Sequence, residues 1–388
     1  MWGNGDGSVP TTGVTFGVEE EFHILDPGTG RLAPASPALL ADGSGADKEF
    51  HARMIETATP VCTGLRDLRA ALVAARGRLV AAADRAGVCV VASGTVPDSG
   101  SSDAPVCPDD RFRRISDRYR RLAAEQHVCA TQVQVGVADP DLAVRLIARI
   151  RGWLPVLLAL SASSPFFGNA DTGYASYRNV VASRWPTAGP APVAADHAAY
   201  QRSVRTLIDT GVIDDPGMIY HDVRVSHRYP TLEIRICDST PVVDDVVLIA
   251  ALSRALVATS AAEDQDDVPG TPMPDELVRA ATWVAARDGL RAGLISPATH
   301  RLIPAADVVA ELVAHVTPAL ARAGDAEAVT TSLAALLRSG NSVQRQHRVL
   351  TAGSGLVGVV AALAAETRSE LGPAVDAVGG AGVRTSPV

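Results

Sequence analysis

The sequence has few of the residues that several large protein classes need. Its 388 residues include a single lysine, Lys48, and only 4% aromatic residues, and the formal net charge is -8. Nucleic-acid-binding proteins carry clustered basic side chains, and disordered chains have low hydrophobicity, whereas 47% of this chain is hydrophobic. No segment matches GxxxxGK[ST], which excludes a P-loop NTPase. The composition therefore predicts a folded protein that does not bind nucleic acid.

Paired cysteines and long apolar runs are also lacking. The five cysteines show neither a CxxC motif nor the spacing of a zinc site, which favours a reduced, intracellular protein. The first residues lack the pattern of a signal peptide. The apolar tracts 153–162 and 356–365 are shorter than the roughly 18 residues that a membrane span needs. We expect a cytoplasmic protein that does not interact with a membrane.

Most of the chain shows helical periodicity. Apolar residues at helical spacing alternate with Arg, Asp and Glu in six segments, which predicts amphipathic helices over 64–86, 141–162, 244–262, 274–292, 305–338 and 355–370. Two stretches rich in Gly, Pro, Ser, Asp or Ala, 98–110 and 182–195, indicate loops, either plain surface loops or lids. Residues 1–12 and 372–388 are expected to be flexible ends.

Three short segments show the alternation of polar and apolar residues that is typical of strands. In Val14–Leu25, period-two spacing brings Glu19, Glu21 and His23 to one face, while Glu20 falls among the apolar residues. The other two segments are 131–137 and 231–238, which share the same pattern. Their polar positions are Gln132 and Gln134 in the second segment, and Glu233 and Arg235 in the third.

The polar faces of these strands have two interpretations. An antiparallel sheet with one face in water produces the same alternation. However, Glu19 and Glu21 are like charges at alternate positions of one strand, and they repel each other unless a cation lies between them. Mg²⁺ prefers oxygen ligands and is commonly shared between carboxylates and nucleotide phosphates. Carboxylates with amide oxygens and one arginine suit a site that transfers a phosphoryl group.

Six segments together resemble the YbdK-type carboxylate-amine ligases, the glutamate-cysteine ligase type 2 family. The resemblance extends from about residue 15 to residue 347, and the matching segments occur in order along the chain. They are GVEEEFHILDPGTG (17–30), KEFHARMIETATPVC (48–62), CATQVQVGVADPD (129–141), SASSPFFGNADTGYASYRNVVASRWPTAGP (161–190), DVRVSHRYPTLEIRICDSTP (222–241) and ATWVAARDGL (281–290).

The resemblance implies a glutamine-synthetase-like α+β fold, in which a curved, largely antiparallel sheet forms a funnel walled by helices. It implies one catalytic domain over residues 13–371 that binds ATP and two or three Mg²⁺ ions. In the family reaction a carboxylate takes the γ-phosphoryl group of ATP, and an amine then displaces phosphate to give an amide. The acid is expected to be glutamate through its γ-carboxylate, the amine cysteine or another amino compound, and the assembly a homodimer.

The resemblance also assigns roles to the acidic residues. Glu19 and Glu21 match the first pair of metal ligands. Glu49 and Glu56 match the second acidic segment, and we expect Glu56 to bind metal and Glu49 to bind substrate. Their spacing of seven would put them on opposite faces of a regular strand, so either a bulge or a helical turn intervenes or only one points into the site.

The catalytic residues implied by the resemblance lie in the last strand. Glu233 matches a bridging metal ligand, and Arg235 matches the arginine that stabilises the transferring phosphoryl group, as a planar donor fork is suited to do. Gln132 and Gln134 stand where many relatives read HVH, and an amide oxygen keeps a ligand that Mg²⁺ accepts. Further substrate-binding candidates in the matching segments are Tyr174, Tyr177, Arg178, Arg224 and Arg287.

Other functions remain compatible with the sequence. One is a specialised amide-forming ligase of a secondary-metabolite pathway, because a fold and a reaction type persist while a pocket changes. A second is a ligand-binding relative without turnover, which the two glutamines suggest. A third is a metal-dependent phosphohydrolase, which would release phosphate from ATP without an acceptor. The histidines His51, His221 and His227 have no assigned role, and the sequence does not identify a general base.

Overall fold

An antiparallel sheet lies at the centre of the fold. The computed structural model describes residues 14–100, 105–270, 272–369 and 371, so the predicted flexible ends and residues 101–104 of the 98–110 loop lie outside the described residues. The strands are β1 (Phe16–Leu25), β2 (Asp47–Lys48), β3 (Met54–Ala58), β4 (Cys89–Val91), β5 (Thr131–Gly136), β6 (Phe166–Phe167), β7 (Ala170–Asp171), β8 (Val223–Val225), β9 (Thr231–Ile234), β10 (Gly293–Ile295) and β11 (Leu302–Pro304).

Seven of these strands form the main sheet, in the order β2-β3-β1-β5-β9-β8, and β4 pairs with the second half of β1. All neighbours in this sheet are antiparallel. The three strands predicted from alternation are β1, β5 and β9, and they lie side by side. Two small hairpins, β6–β7 and β10–β11, stand apart from the sheet.

Helices make up most of the remaining described chain. In order they are α1 (Ser36–Ala41), α2 (Leu65–Arg85), α3 (Asp110–Tyr119), α4 (Arg121–Ala124), α5 (Pro140–Ile150), α6 (Leu154–Ser161), α7 (Tyr177–Ala182), α8 (His197–Asp209), α9 (Val243–Gln265), α10 (Asp275–Asp288), α11 (Ala305–Ala323), α12 (Ala326–Ser339), α13 (Ser342–Val349) and α14 (Gly355–Arg368). A 3₁₀ turn (Pro216–Met218) and a π turn (Leu350–Ser354) complete the set.

Two of the predicted helices are each divided into two. The segment 141–162 breaks between α5 and α6, where Gly152 precedes Pro155 and proline favours the start of a new helix. The segment 305–338 breaks at Gly324, which has the left-handed conformation (φ 75°) that commonly ends a helix. The predicted loop 182–195 is without helix or strand after Ala182, the last residue of α7.

The apolar face of the sheet packs against α9. Val133, Val135, Leu232 and Ile234 are fully buried there, in one hydrophobic cluster with residues of α2, α5, α6 and α11. Helix α9 is buried on almost all sides, as expected for a helix that is apolar around its whole circumference. The opposite face of the sheet carries the polar side chains and is not covered by α9.

Two stretches of the described residues qualify as membrane spans by length and composition alone. The first is α9, and 94% of its most apolar window is buried inside the protein, as in a core helix. The second, 326–368, comprises α12, α13, the π turn and α14, and 17% of its most apolar window is buried. Gly340, with φ 78°, separates α12 from α13.

An ion pair explains why Glu20 lies among apolar residues of β1. Its carboxylate is fully buried and accepts hydrogen bonds from Arg76 of α2, at 3.1 Å from Nε and 2.6 Å from Nη2. Arg76 also donates to the carbonyls of Thr240 and Pro241. The pair therefore ties α2, β1 and the segment after β9 together behind the polar face.

Candidate active site

The polar face of the sheet lines a cavity of ≈ 820 Å³. Of the residues that the sequence proposed for the site, eleven line this cavity, and Tyr177 and Arg287 are not among the described lining residues. The lining set from the prediction comprises Glu19, Glu21, Glu49, Glu56, Gln132, Gln134, Tyr174, Arg178, Arg224, Glu233 and Arg235.

Three carboxylates meet at one end of this face. Glu21 of β1 lies directly opposite Glu56 of β3, and Glu49 follows β2, the next strand. Each of the three offers an oxygen that lies within 4.8 Å of the other two. The chain reverses between β2 and β3, so the spacing of seven does not separate Glu49 from Glu56. A turn between two strands therefore brings both residues into the site.

The three carboxyl groups hold protons more tightly than free glutamate does. Burial, followed by the charge of Glu49, raises the pKa of Glu21 to about 7. Burial and then Glu49, Glu19 and Glu21 raise the pKa of Glu56 well above its usual value, and burial raises that of Glu49. Oxygen ligands that repel one another at this distance suit a hard divalent cation such as Mg²⁺. The cluster therefore fits the metal that the resemblance implies.

Glu233 lies between two arginines on the same face. Its oxygens accept hydrogen bonds from Nε and Nη2 of Arg224, both at 2.9 Å, and from Nη1 of Arg235. Burial alone would raise the pKa of Glu233, but Arg235 and Arg224 outweigh it and bring the pKa to about 2. Arg224 also donates to the carbonyls of Gly217 and Ile219. Arg224 therefore holds Glu233 in place, and its donors are engaged by the protein.

The two glutamines of β5 connect the charged groups of neighbouring strands. Gln132 donates to Glu21 at 2.7 Å and accepts from Arg235, while Ala130 N donates to the other Glu21 oxygen at 2.7 Å. Gln134 donates to Glu19 at 3.3 Å and accepts from Thr231. Both amide oxygens thus have hydrogen-bond donors as partners.

Arg178 fixes the backbone directly after β9, where Arg235 lies. Its two terminal nitrogens donate to the carbonyls of Arg235 and Ile236, each at 3.0 Å. Asp238 follows, fully buried, and accepts hydrogen bonds from Ser163 N, Ser164 Oγ and Ser176 Oγ. Gly94 allows this close approach, because a Cβ there would lie 2.7 Å from the carboxyl carbon of Asp238. The 161–178 segment is thereby anchored to the last strand.

The aromatic candidates form a group at one wall of the cavity. Tyr177 packs on Phe167 and Tyr174, with ring centroids 5.1 and 5.8 Å apart. Tyr174 OH accepts a hydrogen bond from Nε1 of Trp283 at 3.3 Å. Arg287 lies over the Trp283 ring at 4.4 Å and pairs with Asp288. Of these side chains, Tyr174 and Trp283 line the cavity.

Burial keeps the histidines near the cavity neutral. Desolvation lowers the pKa of His51 and of His221 to about 4 and lowers that of His227 as well. Two arginines of the lining, Arg228 and Arg279, have side chains without a hydrogen bond or ion pair within the described part of the chain.

The sequence-based prediction did not include Asp222, which lines the cavity beside Arg235. Asp222 and Arg224 alternate with Val223 and Val225, so the period of two that identified the other strands applies here too. Trp283 was missed as well. It lies in the segment 274–292, whose pattern predicted an amphipathic helix and no site residue at this position.

The chain is similar to known proteins in sequence and in fold. The family profile "Glutamate-cysteine ligase family 2 (GCS2)" matches residues 15–367. A Mycolicibacterium smegmatis protein provisionally named glutamate–cysteine ligase 2-2 is 44% identical over 368 residues, which are 94% of this chain and 92% of that protein. A Salinispora tropica protein provisionally named glutamate–cysteine ligase 2 is 42% identical over 361 residues, covering 92% and 95%.

A solved structure shares the fold at low sequence identity. The glutamate–cysteine ligase of Francisella tularensis, in complex with AMP, superposes with a TM-score of 0.68 at 12% identity and covers 93% of this chain and 90% of its own. The predicted α+β, glutamine-synthetase-like architecture is confirmed.

The fold and the family profile define the class as ATP-dependent ligases that form amide bonds. This chain belongs to glutamate-cysteine ligase family 2.

Proposed function

We propose that the protein uses ATP to convert a carboxylate, the γ-carboxylate of glutamate, into an acyl phosphate and then joins it to an amine. Cysteine is one amine of the required kind. The observation that carries the proposal is the convergence of Glu21, Glu49 and Glu56, with oxygens within 4.8 Å of one another, on the face that also carries Glu233 and Arg235.

The carboxylate cluster would hold divalent cations. Glu21, Glu49 and Glu56 form one set of ligands, and Glu19 and Glu233 contribute to a second. Glu49 is thus reassigned from substrate binding to metal binding, because its oxygen lies in the cluster. Bound there, Mg²⁺ would neutralise the triphosphate, whose negative charge otherwise repels the attacking oxygen of the substrate carboxylate.

Arg235 would stabilise the charge on the transferring phosphoryl group. Its backbone is fixed by Arg178, and its side chain is oriented by Gln132 and Glu233. A guanidinium already held in position requires little reorganisation when charge develops near it. In the first step the substrate oxygen bonds to the γ-phosphorus and ADP leaves, and in the second the amine nitrogen bonds to the acyl carbon and phosphate leaves.

Substrate carboxylates would bind to arginines that the protein leaves unpaired. Arg178, Arg224 and Arg287, the candidates from the sequence, all donate to protein groups. Arg228 and Arg279 line the cavity, and their side chains have no such partner among the described residues. We therefore assign recognition of the α-carboxylate of the amino-acid substrates to these two residues.

An ADP-release assay with ATP, Mg²⁺, glutamate and a panel of amines tests the proposal, with products measured by mass spectrometry. We expect ADP only when an acid and an amine are both present, with a product lighter than their sum by one water. An amine other than cysteine as the preferred partner would indicate the specialised ligase. ADP formation without an acceptor would identify a phosphohydrolase, and no ADP with any pair would contradict ligase activity.

A further inference from the structure

Asp222 occupies a fixed position beside the proposed catalytic arginine. It directly precedes β8, and its carbonyl accepts a hydrogen bond from Arg235 N at 2.9 Å. Its own N–H donates to the carbonyl of Gly189 at 2.9 Å. The backbone is thus held from both sides, and the residue lines the cavity on the polar face that Arg224 shares.

The carboxyl group of Asp222 has no hydrogen-bond partner among the residues that the structure describes. The residue is only 8% exposed, its Oδ2 is buried, and neither oxygen accepts a hydrogen bond or forms an ion pair within residues 14–100, 105–270, 272–369 and 371. Buried carboxyl groups are nearly always hydrogen-bonded. Glu19, Glu21 and Glu233 in the same cavity all accept at least one such bond.

The arginines around Asp222 act on it only from a distance. Burial raises the pKa of Asp222 to about 6, and Arg178, Arg151 and Arg279 partly offset that rise. Arg178 donates to the carbonyls after β9, and Arg151 donates to Asp275. The carboxylate is therefore ionised at neutral pH, close to positive charges and without a direct partner in the described part of the chain. A cationic ligand group would supply the missing hydrogen bonds.

We propose that Asp222 binds the ammonium group of the amine substrate and accepts one of its protons as the nitrogen attacks. The assignment rests on the proposed ligase function. One ammonium proton passes to a carboxylate oxygen of Asp222, and the nitrogen lone pair forms the bond to the acyl carbon. The bond from that carbon to the phosphate oxygen breaks, and the departing phosphate takes the second nitrogen proton.

The first test compares two nucleophiles in Asp222→Asn, with ATP, Mg²⁺ and glutamate. L-Cysteine carries an ammonium group, whereas hydroxylamine is largely uncharged at neutral pH and gives a hydroxamate that can be measured by its iron complex. We expect the rate with cysteine to fall on the order of 10²-fold or more, as for loss of a general base. The rate with hydroxylamine should change by only a few-fold.

The ratio of the two rates separates this role from a structural one. An equal loss with both nucleophiles would overturn the proposal, because a general disturbance of the site affects each acyl transfer alike. If the wild-type protein forms neither amide nor hydroxamate, the proposed function fails. The second test then decides, independently of turnover, whether the Asp222 carboxylate is a buried charge without a partner or a structural contact.

The second test compares the urea midpoints of Asp222→Asn and Asp238→Asn at about pH 8. Asp238 is a matched buried carboxylate that accepts three hydrogen bonds. We expect Asp222→Asn to unfold at the same urea concentration as the wild type or higher, because it removes a buried charge without a partner. Asp238→Asn should unfold at a lower concentration. A loss of equal size in both variants would show that Asp222 is a structural partner and overturn the proposal.

Discussion

Glu56 is the residue at which the stability of the free protein conflicts most directly with the proposed chemistry. It lies opposite Glu21 and next to Glu49, and all three have raised pKa values. Glu56→Gln should therefore raise the free energy of unfolding by about 1 kcal/mol or more at pH 8 without divalent cations, which corresponds to about one pKa unit of repulsion. Urea denaturation measures this change.

The same substitution should remove function. We expect ADP formation to fall by more than roughly 10²-fold, since substituting a residue that only hydrogen-bonds to a metal ligand can already lower activity by up to that factor. Glu327→Gln, at an exposed glutamate of α12, is the matched control and should change neither property. A Glu56→Gln variant that is less stable than the wild type, or that keeps wild-type activity, would contradict a metal site built from carboxylates that repel one another.

Glu233 makes the opposite contribution to stability. Arg224 and Arg235 hold its pKa near 2, below that of an unfolded glutamate, so its stabilisation is present above about pH 4.5 and is lost as the pH falls towards 2. From the sequence alone, Glu233→Gln is expected to fold normally. Because the substitution leaves two buried guanidinium groups without their counter-ion, we now predict a loss of about 3 kcal/mol at pH 7.

Urea denaturation of Glu233→Gln at pH 7 and pH 3 tests that prediction. The difference from the wild type should shrink at pH 3, where part of the ion-pair energy is already lost. Unchanged stability at pH 7 would mean that Glu233 does not form the two ion pairs in solution.

At the scale of the element, the end of β9 depends on the 161–178 segment. Arg178 holds the carbonyls of Arg235 and Ile236, and a lysine could reach at most one of them in the same way. In Arg178→Lys we expect kcat to fall by about 10-fold or more, with the KM for ATP nearly unchanged, because Arg235 would be misaligned for the transition state rather than for binding.

Arg254→Lys is the matched control for this substitution. Arg254 is equally buried, pairs with Asp325 and the Thr63 carbonyl, and is not among the described cavity residues. It should lose stability with kcat preserved. A fall in kcat of the same size in both variants would assign Arg178 a general structural role.

Periodicity predicted the elements well where side-chain burial decides the structure. The alternation in β1, β5 and β9 identified their polar faces, and Glu19, Glu21, Glu233 and Arg235 all line the cavity. Strand pairing was not predictable, because register depends on partners far apart in the sequence. The turn that brings Glu49 close to Glu56 was therefore not predicted, and the sequence showed only that the two residues are seven positions apart. The ion pair of Glu20 with Arg76 was hidden for the same reason.

The sequence did not show that three candidate substrate-binding arginines have partners within the protein. A sequence shows that a guanidinium is available but not which carbonyls or carboxylates surround it. Arg178, Arg224 and Arg287 each have protein partners that come from contacts across the fold or from a neighbouring residue. Asp222 was overlooked for the converse reason, since the lack of a partner is visible only in three dimensions.

At the scale of the whole molecule, the stabilisation of the fold by divalent cations should depend on pH. The folded-state pKa values of Glu21, Glu49 and Glu56 are raised, so the stability that their protonation provides is lost as the pH rises through those raised values, which for Glu21 is about 7. Millimolar Mg²⁺ should therefore raise the melting temperature by roughly 2 °C or more at pH 8 and by less at pH 6. Thermal unfolding at matched ionic strength with Na⁺ is the measurement.

Histidine titration does not change this comparison, because melting temperatures with and without Mg²⁺ are compared at the same pH. The buried histidines have lowered pKa values in the folded protein, so charging them in the unfolded protein lowers stability at pH 6 with and without Mg²⁺ alike. Glu56→Gln should show a much smaller response to Mg²⁺. A wild-type response that is equal at both pH values, or equal in the variant, would contradict the coupling.

The transfer of oxygen from substrate to phosphate tests the central claim most directly. Glutamate labelled with ¹⁸O in its γ-carboxylate is incubated with ATP, Mg²⁺ and the amine that supports turnover, and the released phosphate is analysed by mass spectrometry. An acyl phosphate requires one ¹⁸O atom to appear in each phosphate released. Phosphate without the label, or label in AMP with release of pyrophosphate, would contradict the proposed reaction.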